Sequence, residues 1–141
     1  MSIGTLPLPS QVLPAAARTK VDFARDIEPL LKRCQVCHGA QQQMSGFRVD
    51  QKEAALKGGA LGKDIQPGNS AGSRLIRLVA GVDGKVMPPM GARLTAAEVG
   101  LLRAWIDQGR DWPAPPTAPG AIIIRWPTAC FWRAAGSKAG R

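Results

Sequence analysis

Cys34-Gln35-Val36-Cys37-His38 is the stretch on which the reading of this chain turns. Two thiols three positions apart project from about one helical turn on the same side, so both can reach the two vinyl groups of one porphyrin. The histidine directly after the second thiol falls beneath the ring, where a neutral imidazole nitrogen can ligate the iron. C-x-x-C-H is the pattern of covalent c-type haem attachment, and all three required residue types are present.

Other uses of the two thiols fit less well, though a chance occurrence of the pattern is one of them. Cys130 is the only further cysteine and His38 the only histidine. A four-ligand zinc site would therefore have to recruit Cys130 from a distant region without a globular pattern. A thioredoxin-like dithiol needs a βαβ pattern, and none is visible here.

Upstream of the motif, Phe23, Ile27 and Leu31 fall at i, i+4 and i+8, with Leu30 widening the stripe. That period predicts a helix from Val21 running directly into Cys34, capped by Asp22 and with Asp26 near its positive end. Gly39 after His38 lets the backbone turn away beneath the ring. Residues 40–69 read as loop, punctuated by glycines and Pro67-Gly68, with a short helical turn over Ala54–Lys57. Asn69 or Ser70 is expected to cap a second helix through about Val79. The Met87-Pro88-Pro89-Met90-Gly91 run excludes regular structure. The last helix has the clearest signals: a Thr95…Glu98 capping box, Leu94 placed to staple onto Val99, and Gly109 as terminator. Its apolar face is Val99, Leu102, Trp105 and Ile106, and Trp112-Pro113 closes the domain.

With His38 on one face of a haem, the other face needs its own ligand. A methionine thioether suits low-spin iron and raises its potential, favouring electron transfer over oxygen chemistry. Met1 is the initiator, and Met44 follows His38 too closely to cross easily to the opposite face. Met87 and Met90 lie in the proline-stiffened loop. Pro88 biases Met87 toward an extended backbone, which makes Met87 the preferred ligand and Met90 its alternative. The plainer use of either methionine is flexible core filling. There is no second histidine for peroxidase-type acid–base work.

Composition sets the class. At 141 residues the chain has room for one domain plus tails, and no apolar run approaches the roughly 18 residues of a membrane span. Tyrosine is absent and aromatics make up only 5%, so a buried porphyrin would supply apolar surface that the side chains lack. The formal charge is +9, yet the basic residues of the body are dispersed among acids without an aromatic–basic stripe. That pattern argues against nucleic acid as a partner and for a solvated basic surface.

Residues 1–20 read as a leader or degenerate signal segment: Pro7, Pro9 and Pro14 interrupt it, it has no basic start, and Ala15-Ala16-Ala17 resembles a cleavage site. Residues 114–141 begin with a Pro-rich linker and continue as a basic tail with no acid, expected to be disordered. Ile122–Ile124 is a candidate lone strand, and Trp126, Cys130 and Trp132 among arginines are candidate partner-binding residues of the tail.

Together the Cys34–Gly39 motif, Pro67-Gly68 with Ser73-Arg74-Leu75, the Met87–Gly91 run and Leu94-Thr95…Trp105-Ile106…Gly109…Trp112-Pro113 resemble a class I cytochrome c domain, and within that class the planctomycete-type cytochrome c domain. The resemblance covers about residues 21–113. It implies an all-α, loop-rich fold of three or more helices around one covalent haem c. It also implies thioether attachment at Cys34 and Cys37, His38 as proximal and Met87 as distal ligand, and a location outside the cytoplasmic membrane. The expected role is one-electron transfer to an unidentified redox partner protein, without an enzymatic reaction of its own. A haem-bearing sensor or interaction module of a larger exported protein, or the haem domain of an oxidoreductase, are the alternatives. Longer relatives of this type commonly carry a downstream domain.

Overall fold

The last helix takes the packing of two other helical elements. The computed structural model describes residues 12–114. The expectations for Ile122–Ile124, Trp126, Cys130 and Trp132, for residues 1–11 and for residues 115–141 lie outside it.

The sequence signals around Thr95 produce the expected cap. The Thr95 hydroxyl accepts the Glu98 N–H at 3.2 Å, and the Glu98 carboxylate accepts the Thr95 N–H at 2.7 Å. With these first-turn donors satisfied, the helix runs over Ala96–Asp107 and Gly109 follows at φ 104°. It buries Val99, Leu102, Ala104, Trp105 and Ile106, and Leu94 packs against the core from just before the cap.

The N-terminal helix differs from the expected single run. Phe23–Ile27 form a π-helical turn, capped by Asp22, which passes into α1 (Glu28–Cys34). Pro29 gives the physical reason: it has no N–H for the Arg25 carbonyl and its ring crowds that oxygen. The chain winds wider just ahead of it, and Glu28 N–H reaches back to Phe23. Ile27, Leu30 and Leu31 are buried all the same. Each such side chain contributes roughly 1.5–3 kcal/mol.

Between these helices lie a 3₁₀ turn (Met44–Gly46), α2 (Lys52–Lys57) and α3 (Arg74–Ala80); the final helix is α4. Among the described residues extended pairing is confined to isolated bridges, His38 with Gln43 and Gly59 with Gly62. The fold is all-α, as expected. α3 begins at Arg74 with Ser73 ahead of it, not at Asn69 or Ser70. Those two residues are spent on the preceding turn. Asn69 Oδ1 accepts the Gly72 N–H at 2.9 Å, and the Ser70 amide and hydroxyl both donate to Asp107 at 2.8 Å.

α3 and the π-helical turn both pack on α4. Phe23 stacks on Trp112 at 5.0 Å, with Trp105 5.7 Å from Trp112, and Trp105 Nε1 donates to the Asp111 carbonyl at 2.9 Å. Trp112, read from sequence as the close of the domain, thus packs into this aromatic group. No helix among the described residues is long and apolar enough to cross a membrane.

Residues 12–20, read from sequence as the end of a leader, lie along α4. Ala17 N–H donates to the Gly100 carbonyl at 2.9 Å, and Leu13, Ala16 and Ala17 pack against the core. Gly100 is the reason the segment fits: a Cβ there would stand 2.6 Å from the Ala15 carbonyl oxygen. In a helix interior glycine costs about 0.5–1 kcal/mol relative to alanine, which this contact offsets.

Candidate functional site

α1 delivers Cys34 as its last residue, and one further turn carries the chain through the motif. The Cys34 carbonyl accepts the N–H of Cys37 at 3.2 Å and of His38 at 2.8 Å, so the two cysteines and the histidine ride one continuous coil. Both cysteines are free thiols and half-buried. Cys34 Sγ lies 3.6 Å from the Leu30 carbonyl, and burial pushes its thiol up from the ordinary value.

His38 is held from two sides. Its Nδ1 is 3.2 Å from the Phe47 carbonyl oxygen, and its ring meets the Phe47 ring edge-on with centroids 5.5 Å apart. A carbonyl can only accept, so the contact places a proton on Nδ1, and in the neutral imidazole the lone pair is then on Nε2. The backbone is tied as well, since Val49 N–H donates to the His38 carbonyl at 2.8 Å and Met44 N–H to Cys37 at 3.0 Å. Phe47 and Val49 are buried, which anchors the returning loop. Gly39 is buried, and a Cβ there would collide with the Gln35 carbonyl oxygen. Its absence of a side chain serves this close approach.

The methionines separate clearly. Met87 N–H donates to the Leu78 carbonyl of α3 at 2.9 Å and its side chain packs against the core. Met90 is 83% exposed and Met44 49%. At the far end of the loop, Arg33 donates to the Ala92 carbonyl at 3.1 Å and to Glu98 at 2.9 Å. The methionine loop is thus held at one end by α3 and at the other by the residue preceding Cys34.

These groups fit a covalently attached haem: two free thiols one turn apart, an imidazole with Nε2 available, and a glycine admitting tight backbone passage below. Among the described residues no three His, Cys, Asp or Glu side chains gather as a metal site of another kind. Sequence reasoning named Cys34, Cys37, His38 and Met87 as candidates but not the Phe47 carbonyl that faces His38, because a backbone acceptor leaves no residue-type signal.

Comparison with known proteins gave no match among curated proteins and none among solved structures. A family model does match, that of planctomycete cytochrome C, over residues 34–91. The matched span begins at Cys34 and ends just beyond the Met87–Met90 loop, leaving most of α1 and all of α4 outside it. From Cys34 to Gly91, the stretch that holds the two-cysteine motif and the methionine loop, this chain is therefore similar to planctomycete cytochrome C.

Proposed function

We propose that the domain is a one-electron carrier or electron-entry module, with haem c joined to Cys34 and Cys37, His38 Nε2 as proximal ligand and Met87 as distal ligand. The observation that carries this reading is the His38 Nδ1 contact to the Phe47 carbonyl, 3.2 Å long. It orients the imidazole and raises its basicity as a ligand. When bound, the haem iron supplies a one-electron couple between its ferrous and ferric forms.

The chain's own residues do the rest. Cys34 and Cys37 would hold the haem covalently and Met87 would reach it from a loop tied to α3, while Met90 faces solvent. A thioether favours ferrous iron and so raises the potential. Leu30, Leu31 and Val49 are buried, and an apolar shell of this kind would keep water from the haem and reorganisation on electron transfer small. The location that follows is extracytoplasmic, with a redox protein as partner.

The test is expression of the full chain alongside a cytochrome c maturation system. Intact mass should increase by one haem, and the pigment should stay with the protein in acidified organic solvent. Extraction of the pigment would overturn covalent attachment. The ferrous spectrum should not change when carbon monoxide is admitted, and rapid binding of the gas would overturn a closed His/Met centre.

A further inference from the structure

We infer that residues 13–17 are a fixed strap of the folded domain, seated on α4 at Gly100, and are retained in the mature protein and not removed at the Ala17–Arg18 bond. This does not rest on the haem reading. The Ala15-Ala16-Ala17 triplet resembles a leader-cleavage site, yet the structure uses these residues. Ala17 N–H donates to the Gly100 carbonyl at 2.9 Å, and the Ala15 carbonyl oxygen occupies the place a Cβ on residue 100 would need. Leu13, Ala16 and Ala17 cover part of the core.

A polar chain carries the strap further into the fold. The Arg103 guanidinium donates through Nη1 to the Pro14 carbonyl and through Nε to Ser70 Oγ, the latter at 3.1 Å. Ser70 is 1% exposed and donates to Asp107 through both its amide and its hydroxyl. The Pro14 carbonyl is thus the outer end of a network joining the strap, α4 and the turn before α3. Just beyond, Gln108 Nε2 donates to the Thr19 carbonyl at 2.9 Å and its Oε1 accepts from Val21 at 3.0 Å. A cut after Ala17 would leave the Gln108 clasp but expose Gly100 and strip Arg103 of its Pro14 acceptor. A mid-helix glycine weakens α4 unless something needs the space. Among the described residues, the strap is what needs it.

The decisive experiment compares Gly100→Ala in the full chain and in a chain lacking residues 1–17. With the strap seated, the new methyl meets the Ala15 carbonyl and the Tm of the full chain should fall by about 4 °C or more. Without the strap, alanine is simply the better helix former and the Tm should rise. A rise in both chains overturns the proposal. Should the shortened chain fail to fold, hydrogen exchange of the Ala17 amide in the full chain decides. Slowing of at least about tenfold relative to an unstructured amide supports the strap, and unprotected exchange overturns it. Fused behind an ordinary secretion leader, the exported protein should keep residues 13–17 by intact mass. A mature start at Arg18 with unchanged Tm would overturn their retention.

Discussion

Arg33, the residue before Cys34, donates to Oε1 of Glu98 at 2.9 Å, while Oε2 of the same carboxylate accepts the Thr95 amide at 2.7 Å. One side chain therefore caps α4 and ties it to the end of the haem-motif helix. The Ala92 and Arg93 carbonyls, just past the methionine loop, accept from the same guanidinium. Local helix signals and the placement of the site are joined at this point.

The pH dependence of stability follows from it. The Thr95 amide, and then the Arg33 charge, hold the Glu98 carboxyl below its ordinary value near 4.5. A carboxylate depressed in the folded state contributes stability that is complete above its unfolded value and is lost as pH falls through the folded one. Glu98→Gln should lower the Tm at pH 7 and converge with the parent protein in acid, because glutamine mimics the protonated acid. A constant difference between the two across a thermal-unfolding pH series would show that Glu98 does not titrate in this role.

The cap itself is expected to be worth about 1 kcal/mol, the usual loss when an N-cap threonine is replaced by alanine. For a domain of this size, Thr95→Ala should lower the Tm by about 4–8 °C without changing the haem spectrum. A spectral change in that variant would mean that α4 positions the iron ligands more directly than the hydrogen bonds indicate.

His38→Ala should retain haem on Cys34 and Cys37 but lose the low-spin spectrum, since His38 is the only histidine in the chain. On the proposed ligation the substitution takes away the axial nitrogen and leaves both cysteines in place. A surviving His/Met-type spectrum would exclude His38 as the proximal ligand.

Much of this was legible from residue types. The capping box at Thr95, the terminator at Gly109 and the apolar face of α4 are local signals that tertiary packing reinforces. The C-x-x-C-H motif is a dense chemical signature, while the choice between Met87 and Met90 as ligand rested on Pro88. What was not legible depends on backbone atoms or on distant partners. The Phe47 carbonyl that orients His38 leaves no trace in residue type. Ser70 looked like a helix cap because its preference for turns is the same, but Asp107, 37 residues away, claims its side chain. Gly100 explains itself only once Ala15 is seen beside it. The alanine triplet has the same composition whether a peptidase or α4 reads it.

The distal ligand is tested by comparing two substitutions in one loop. Met87 is tied through its amide to Leu78 and packs inward, whereas Met90 is 83% exposed. Met87→Ala should eliminate the weak ferric sulfur-to-iron band at the red end of the spectrum. It should also lower the potential, because ferrous iron loses a thioether that favours it. Carbon monoxide should then bind readily to the reduced form. Met90→Ala should leave band and potential nearly unchanged, since a solvent-facing methionine has little packing to lose. Loss of the band on changing Met90 alone would move the ligand three residues along and require the loop to rearrange around the haem. An unchanged spectrum in both variants would remove methionine from the iron altogether, and with it the closed centre on which the electron-transfer reading depends.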